Sequence, residues 1–547
     1  MSDSHSRRQF LKWLGLAGLG ALAWPLGKYA YQQAFSAPRI TSQGISPEYA
    51  HRLRNAAFPP VQKTYRTQVA IIGSGVAGLS AALHLQQQGI RDFRVLELES
   101  IIGGNAASGQ NDVSAFPWGA HYLPVLSEES AFLYPFLQAA NIITGFNQQG
   151  LPYYNEFYLC HDLKERLYLN GSWQEGLVPH QGLTPAEQAE IERFFALMKY
   201  YKHIKGVDGR NAFAIPVDLS STDESFVRLD ALTMADFLNQ QHFYSPYLRW
   251  YINYCCRDDF GGGIDTVSAW AGIHYFAARR PRIANGDDDA ILVWPEGNGF
   301  LVNQLAKGFQ DKIQTDCLVY NVQVQDEKIA IHYFDGKSQQ SAAYLADYVI
   351  MAIPRFVAKQ ICHLDFAPCF ANHDKLQYAP WIVANITLTG EPKRNGADIA
   401  WDNVSYYSPS LGYIHAKHQS LQARRHNTVI TYYLPLDDVT PKLARQTALN
   451  RTPQEWRQHI VNDLENMHPG ISLLISDIQY RVLGHGMICP TPHLVWRERQ
   501  QLQRAQGKLF FAHSDMSGLS LFEEAFWQGM QTANAVIRTL GSTLVQS

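Results

Sequence analysis

Three glycines that follow a short apolar run have the spacing of a nucleotide-binding turn. Gly73, Gly75 and Gly78 come directly after the run QVAII and form the pattern G-x-G-x-x-G. In such a turn the first glycine permits a tight bend, the second lets the backbone approach a pyrophosphate, and the third lets the next helix pack closely on the strand. Apolar residues at helical spacing follow. The N–H groups of Val76 and Ala77 are therefore expected at a helix N-terminus, where the partial positive charge attracts phosphates.

A carboxylate stands at the distance that a dinucleotide site requires. The segment FRVLELE is predicted to be a second strand, and it ends at Glu97, nineteen residues after Gly78. There the carboxylate would bind the ribose hydroxyls and repel a 2′-phosphate, which argues against NADP. A single glycine-rich turn is weak evidence, and the alternative is a strand-to-helix corner that binds no nucleotide.

Three separated segments of the chain resemble, in order, the flavin-containing amine oxidoreductases of the monoamine oxidase type. The first continues from Glu97 through ELESIIGGN into FPWGAHYLP (116–124), the second covers 294–354, and the third covers 507–537. The resemblance implies bound FAD. A coincidental corner leaves the second and third segments without a role, so we expect an α/β fold in which a Rossmann-like FAD-binding domain carries an inserted α+β substrate domain.

The resemblance also implies which residues outside the glycine turn contact the cofactor. They divide into contacts with the diphosphate, with the adenine and with the flavin ring, where helix N–H groups stabilise the negative charge that appears on reduction. The expected contacts are Gly103, Gly104 and Asn105 at the diphosphate, Val319 beside the adenine, Asp515 at the ribityl chain or pyrophosphate, and Phe522 and Glu523 at the flavin ring. The next residue, Glu524, is interpreted as part of a solvated first helical turn.

The same comparison divides the chain into discontinuous domains. Residues 1–40 are predicted to be a signal peptide. The FAD-binding domain is assigned to 65–125, 290–365 and 481–547, and the substrate domain to 126–289 and 366–480. Within the substrate domain, Thr184 and Glu187 have the spacing of a capping box before an apolar helical pattern.

Two positions depart from the amine-oxidising pattern. In those enzymes a lysine near the flavin lies on a strand after the second FAD segment, and aligning YAPWIVANITLTG with that strand places Asn385 there. An aromatic residue that flanks the substrate nitrogen is replaced by Leu521. Asn385 is therefore the candidate catalytic residue, one that orients a water or a carbonyl but supplies no charge. These departures put simple amine oxidation in doubt.

A further polar group lies in the segment 255–280. Arg257, Asp258, Asp259, His274 and Tyr275 could line a pocket, and the alternative is a helix cap with a buried ion pair. A second open case is the histidine at 485, which precedes the third FAD segment and is either near the flavin or structural.

Composition excludes several classes of protein. The chain has 547 residues, a formal net charge of -3 and 46% hydrophobic residues, which indicates a folded chain that binds no nucleic acid. Its seven cysteines are scattered without a C-x-x-C spacing, so we expect neither a metal site nor a disulfide scaffold.

The first residues have the form of an export signal. Arg7 and Arg8 precede an apolar stretch of about fourteen residues, shorter than the ~20 that cross a bilayer. This pattern predicts transport by the twin-arginine machinery into the periplasm, and the alternative is an uncleaved membrane anchor. Because that route resembles one for proteins that fold around a cofactor before export, it favours a bound prosthetic group.

The combined prediction is an exported FAD-dependent oxidoreductase that oxidises an amine or related small organic substrate by hydride transfer, with oxygen or another acceptor. One alternative is a desaturase or isomerase that acts on an apolar C–C bond. The other is a flavin-bearing envelope protein without turnover. An apolar tunnel would favour the first alternative, and flavin that resists reduction would favour the second.

Exchange of both signal arginines for lysine tests the export prediction. The Arg7→Lys, Arg8→Lys variant should accumulate in the cytoplasm, because the twin-arginine machinery reads this pair as an address. Cell fractionation followed by immunoblotting measures the distribution. Export of the variant at the level of the unchanged protein would show that the pair is not the signal.

Overall fold

The computed structural model describes residues 38–44, 47–55, 57–371, 373–393, 395–419 and 427–546. The predicted signal arginines lie outside these residues. The first described strand begins at Arg39, inside the last positions of the predicted 1–40 segment. Within the described ranges, no helix combines the length and apolar character needed to cross a membrane.

Strands outnumber α-helices in the described part of the chain, and both are numbered in chain order. The strands are β1 Arg39–Ser42, β2 Val61–Ile72, β3 Phe93–Leu96, β4 Ser108–Gln110, β5 Ala115–Pro117, β6 Tyr122–Pro124, β7 Ile143–Phe146, β8 Pro152–Tyr154, β9 Glu165–Leu169, β10 Ser172–Glu175, β11 Ile291–Val293, β12 Ile313–Gln314, β13 Cys317–Gln325, β14 Lys328–Asp335, β15 Gln340–Met351, β16 Tyr378–Leu388, β17 Asp402–Ser405, β18 Tyr413–His415, β19 Thr428–Pro435, β20 Ile475–Ile488, β21 Ala505–Gln506 and β22 Leu509–Phe511. The α-helices are α1 Pro47–Asn55, α2 Val76–Gln87, α3 Tyr134–Ala139, α4 Pro185–His203, α5 Glu224–Val227, α6 Met234–Gln240, α7 Pro246–Phe260, α8 Ala269–Ala277, α9 Gly299–Ala306, α10 Arg355–Ile361, α11 Pro441–Asn450, α12 Pro453–Met467 and α13 Phe522–Gln546.

The first large sheet is a Rossmann-like sheet built from strands that are distant in sequence. Its order is β12-β3-β2-β15-β14-β13, and β22 pairs with the end of β15. Strands β12, β3, β2, β15 and β22 run parallel, whereas β13 and β14 form an antiparallel hairpin onto β15. This mixed sheet confirms the predicted α/β fold class.

The apolar run that precedes the glycines forms the centre of this sheet. Val69, Ala70 and Ile71 are fully buried, as expected for a parallel strand covered on both faces. Helix α2 follows with its own apolar residues buried, and α13 packs against it where Gly529 allows close approach to the Ala77 carbonyl. The first and third predicted FAD segments therefore pack together.

The second large sheet has the order β1-β20-β16-β19-β18-β17-β9-β10. Its central strand β16 is buried at every position, because the helices α11 and α12 lie on one side and the segment of β5, from the FAD-binding domain, lies on the other. Strand β20 runs across the predicted domain boundary at 481, so this sheet continues into the segment assigned to the FAD-binding domain.

Helices between β10 and β11 complete the inserted region. Helix α4 begins with the predicted capping box: the Thr184 side chain accepts a hydrogen bond from the Glu187 backbone, and the Glu187 side chain accepts one from the Thr184 backbone. Helices α4, α6, α7 and α8 share one hydrophobic cluster. They place the end of α7, with Asp258 and Asp259, beside the loop that follows β3 and contains Asn105.

Candidate functional site

The glycine turn has the conformation that its spacing predicts. Gly73 has a φ of +101°, a left-handed conformation, and a Cβ there would lie 2.5 Å from the Ala352 carbonyl oxygen. A Cβ on Gly78 would lie 2.0 Å from the Gly73 carbonyl oxygen. A Cβ on Gly75, in contrast, would meet no atom within 4 Å. Of these three glycines, only Gly75 has free space in the direction of its missing side chain. Gly75 is the residue that directly precedes α2.

The open side of the turn borders a cavity of about 320 Å³, which we call the first cavity. Most of the predicted cofactor contacts lie in its wall. These are Gly73, Gly75, Val76, Ala77, Glu97, Gly103, Gly104, Asn105, Val319, Asp515 and Phe522. Gly78 lies beneath the turn instead, and Glu523 borders an adjoining cavity.

Glu97 follows the end of β3 and is held in place by three hydrogen bonds. Its Oε2 accepts from the Ser74 backbone N–H at 2.8 Å and from the Ser74 hydroxyl at 2.6 Å, and its Oε1 accepts from the Glu99 N–H at 2.8 Å. Burial raises the pKa of Glu97, while these hydrogen bonds oppose the rise. The carboxyl is therefore fixed on the cavity wall, and its binding of ribose stays a prediction.

The Gly103–Gly104 loop lies directly against the glycine turn. Both residues have positive φ, and the Gly103 N–H donates to the Ser74 carbonyl at 3.0 Å. Asn105 donates from its side-chain amide to the Gly486 carbonyl on β20. The loop therefore connects the first large sheet to the second large sheet beside the first cavity.

Asp515 also borders the first cavity and follows β22 in the chain. Its carboxylate accepts from the Arg355 backbone N–H at 2.8 Å and from the Tyr378 hydroxyl at 2.6 Å. Burial alone would raise the pKa of Asp515, but the adjacent His513 and these hydrogen bonds hold it below its ordinary value. The group is thus an anion at neutral pH.

The start of α13 differs from the expected solvated turn. Glu524 is fully buried and accepts a hydrogen bond from the Val217 N–H at 2.6 Å, and burial raises its pKa to about 7. Glu523 is only 4% exposed. The interpretation of Glu524 as a solvated helix terminus is wrong, because the inserted segment that contains Val217 covers this end of α13.

A second cavity, of about 150 Å³, continues from the first. Asn105, Asn298, Leu521 and Phe522 are among the residues that border both. Aromatic and apolar residues form most of the remaining wall, together with a small charged group. These residues include His121, Tyr122, Trp381, Val383, Tyr433, Asp258, Asp259, Arg279 and Glu523.

The charged group in the second cavity contains more acids than bases. Arg279 donates to Asp259 at 3.1 Å, which pairs one carboxylate. Asp258 makes no hydrogen bond or ion pair with any residue in the described ranges. Burial lowers the pKa of His121 to about 4, so this imidazole is neutral at neutral pH. An unpaired carboxyl therefore faces the cavity.

The comparisons with known proteins agree with this geometry. The model of the family described as flavin containing amine oxidoreductase matches residues 76–537. The chain belongs to this family. It is an oxidoreductase, and its cofactor is FAD.

Solved structures show the same fold at low sequence identity. Putrescine oxidase bound to putrescine is 14% identical, with a TM-score of 0.59, over 87% of this chain and 100% of that chain. A fatty acid isomerase from P. acnes that produces CLA is 17% identical, with a TM-score of 0.60, over 86% of this chain and 98% of that one. These two relatives act on different compounds, so the shared fold does not identify the substrate.

A curated relative matches only a part of the chain. The ketocytochalasin monooxygenase of Aspergillus clavatus (strain ATCC 1007 / CBS 513.65 / DSM 816 / NCTC 3887 / NRRL 1 / QM 1276 / 107) is 29% identical over 120 residues. The match covers 20% of this chain and 17% of that protein. Its activity is therefore not transferred to the chain.

The residues of the first cavity fit a bound dinucleotide. The open Cβ direction of Gly75 leaves room for a phosphate against the N-terminus of α2. Asn298 is only 2% exposed, and its Oδ1 has no hydrogen-bond partner among the described residues. An unpaired buried acceptor at the junction of two cavities is costly unless a ligand donates to it.

The structure does not support a catalytic role for Asn385. Its amide donates to the Pro117 carbonyl at 3.0 Å, and its Oδ1 accepts from the Thr431 hydroxyl at 2.7 Å. Trp381 and Val383 of the same strand face the second cavity, but Asn385 lies further along, beneath β5. The prediction is corrected: Asn385 joins β16 to its neighbours, and the cavity-facing part of this strand carries an indole and a valine.

The polar segment 255–280 contains residues that line a pocket and residues that make structural contacts. Asp258, Asp259 and Tyr275 border cavities, whereas Arg257 forms an ion pair with Asp437 at 2.8 Å. His274 is buried and hydrogen-bonded to the Ala214 carbonyl at 3.0 Å. The segment therefore supplies both a cavity wall and structural contacts.

His485 borders the first cavity, where its ring stacks on Phe356 with centroids 4.2 Å apart. Burial lowers the pKa of His485 to about 4. The ring is therefore a neutral part of the cavity wall at neutral pH.

Sequence reasoning missed several residues of the second cavity. Tyr433 faces Val383 across β16 and β19, a register that only strand pairing establishes. Asn298 and His121 were within segments that resemble the family, but their own side chains carried no recognisable spacing. The signal that could have found them is their position, with His121 near the end of the first FAD segment and Asn298 near the start of the second.

Replacement of Gly75 by valine should abolish FAD retention, because the new side chain would occupy the open side of the turn. Absorbance of the cofactor released by heat measures the FAD content. Gly145→Val is the matched control, since a Cβ at Gly145 also meets no atom within 4 Å but lies outside the cavity. Equal FAD contents in the two variants would contradict the assignment.

Proposed function

We propose that this protein is an exported FAD-dependent oxidoreductase that oxidises an amine. The observation that carries the proposal is the unpaired Asp258 carboxyl in the second cavity, beside the paired Asp259 and Arg279. Excess negative charge in a confined cavity attracts a cationic substrate. A long apolar C–C substrate gains nothing from such a group, and burial of the carboxylate against it would be costly.

Aromatic faces beside the carboxyl support the same substrate class. The rings of His121 and Tyr433 have centroids 4.6 Å apart, and those of Tyr122 and Trp401 lie 5.8 Å apart. Aromatic faces attract ammonium groups through the ring quadrupole. An alkylammonium group would therefore be favoured by the rings as well as by Asp258.

The chemistry divides between the cofactor and the cavity wall. FAD held by the glycine turn, Glu97 and Asp515 of the first cavity would supply a two-electron hydride acceptor for oxidation of a C–N bond to C=N, and oxygen or another acceptor would reoxidise it. Trp381, Val383 and Leu521 form an apolar part of the second-cavity wall, which excludes water from the bond to be oxidised. No lysine occurs on β16, so a water held by a strand lysine is not part of the proposal.

The N-terminal arginine pair and the following apolar stretch support export to the periplasm by the twin-arginine machinery. A folded, cofactor-loaded protein is a suitable cargo for that route. The proposal places oxidation of a small-molecule substrate outside the cytoplasm.

Anaerobic mixing with candidate substrates tests the amine proposal. Primary amines such as 1-aminobutane or 1,4-diaminobutane should bleach the oxidised-flavin absorbance of the loaded protein, whereas an unsaturated fatty acid should not. Stopped-flow absorbance measures the rate. Bleaching by the fatty acid alone would support the desaturase alternative. Conversion of the fatty acid to an isomer without net bleaching would support the isomerase alternative, because isomerisation is redox-neutral. Neither bleaching nor conversion with any compound would support a binding protein without turnover.

The affinity for a quaternary ammonium ion, whose charge does not change with pH, should depend on the ionisation of Asp258. Burial raises the pKa of Asp258 to about 7, Asp259 and Glu165 add to the rise, and Arg279 opposes it. The carboxyl is an anion above this pH and becomes neutral below it. Tetramethylammonium, which cannot lose a proton, should therefore bind about tenfold more weakly at pH 6 than at pH 8.

Isothermal titration calorimetry at both pH values measures this change. Asp258→Asn should bind weakly with little pH dependence, and Glu156→Gln, on an exposed loop, should retain the dependence of the unchanged protein. A pH dependence that persists in Asp258→Asn would show that another group controls binding.

A further inference from the structure

Three polar side chains lie where the first and second cavities meet, since Asn105, Asn298 and Ser520 border both. Two of them are tied to β20. Asn105 donates to the Gly486 carbonyl, and the Ser520 hydroxyl oxygen accepts from the Ile488 N–H at 3.0 Å. The Asn298 side chain makes no hydrogen bond with any residue in the described ranges. Among the polar side chains at this junction, the amide of Asn298 is therefore the one left for a ligand.

The backbone on both sides of Asn298 is fixed by glycines. Gly297 has a φ of +57°, and a Cβ there would lie 2.7 Å from the Pro117 Cβ. A Cβ on Gly299 would lie 2.3 Å from the Ser108 hydroxyl oxygen. Glycine permits this close approach because it has no side chain. The Asn298 side chain is therefore carried by a short segment that packs tightly against the FAD-binding domain.

Asn298 directly precedes α9, at a position where an asparagine usually caps the helix. A capping side chain accepts a hydrogen bond from a backbone N–H of the first helical turn. The structure shows no such bond here. The residue is 2% exposed, and its Oδ1 is shielded from water without a donor among the described residues. Such a group costs free energy that a capping bond would have recovered. A ligand therefore explains the side chain better than helix stability does.

Hydride transfer requires the reactive edge of the flavin to lie between the cofactor cavity and the substrate cavity. The ring nitrogen that accepts the hydride carries a lone pair before transfer. It receives the hydrogen with both electrons and becomes an N–H donor. An amide matches both states, since it offers an N–H to the oxidised ring and an oxygen to the reduced ring. Buried donors without an acceptor are tolerated less than buried acceptors without a donor, so the amide oxygen should favour the reduced ring.

We propose that Asn298 is a further catalytic residue, whose amide forms a hydrogen bond with the hydride-accepting nitrogen of the flavin and whose oxygen stabilises the reduced cofactor. The inference rests on the part of the proposed function that places the substrate in the second cavity, and not on the substrate being an amine. Leu521 and Phe522 have apolar side chains at the same junction and cannot supply this hydrogen bond. Loss of the amide should therefore lower the reduction potential of the bound flavin.

The test measures the two-electron reduction potential of the FAD-loaded full chain without any substrate. Anaerobic reduction beside a dye of known potential gives this value from the absorbance of both. In Asn298→Ala the affinity for reduced FAD relative to oxidised FAD should fall about tenfold, which lowers the potential by about 30 mV. Asn298→Leu nearly retains the volume of the side chain and should shift the potential in the same direction.

Asn385→Ala is the matched control. Asn385 is also 2% exposed, but both ends of its amide are paired, with Pro117 and Thr431, and it borders neither cavity. This variant should melt at a lower temperature than the unchanged protein and keep its reduction potential. An unchanged or raised potential in both Asn298 variants, or an equal fall in Asn385→Ala, would overturn the inference. Failure of both Asn298 variants to retain oxidised FAD would also overturn it, because the amide would then serve folding or cofactor binding in general.

The inference and the proposed function fail in different ways, because the potential is measured without an amine. A lowered potential in the Asn298 variants, without bleaching of the unchanged protein by any amine, would retain the role of Asn298 and exclude amine oxidation. Bleaching by amines, with an unchanged potential in the Asn298 variants, would retain amine oxidation and exclude the role of Asn298.

Discussion

The absence of a side chain at Gly78 allows α2 to begin directly against the turn that precedes it. A Cβ there would lie 2.0 Å from the Gly73 carbonyl oxygen and 3.1 Å from the Ala352 Cβ, which follows β15. This contact joins the N-terminus of α2 to the end of β15, and the pairing of β2 with β3 and β15 brings the end of β3 to the same edge of the parallel sheet. The first cavity lies at that edge, where ligands of such sheets bind.

The charged side chains of the second cavity form the other constraint on this molecule. Arg279 pairs with Asp259, which leaves Asp258 without an ion-pair partner among the described residues. A carboxylate that is shielded from water is costly unless it is paired or protonated. The proposal of a cationic substrate rests on this carboxyl.

Predictions were accurate where the physical cause is local. The capping box at Thr184 and the left-handed turn at Gly73 depend on a few consecutive residues, so their spacing was sufficient. The predictions for Asn385 and Glu524 were wrong because both side chains are controlled by distant partners. Pro117 and Thr431 occupy the amide of Asn385, and Val217 donates to Glu524.

The sequence alone determined the family, the FAD cofactor and the α/β class, because glycine spacing and apolar strand patterns act over short distances and recur in order along the chain. Tertiary structure alone decided which side chains border the second cavity. Val383 and Tyr433 lie on different strands, and only the pairing of β16 with β19 places them side by side in its wall. Strand register and helix packing, which depend on the whole core, therefore determined which side chains form the site.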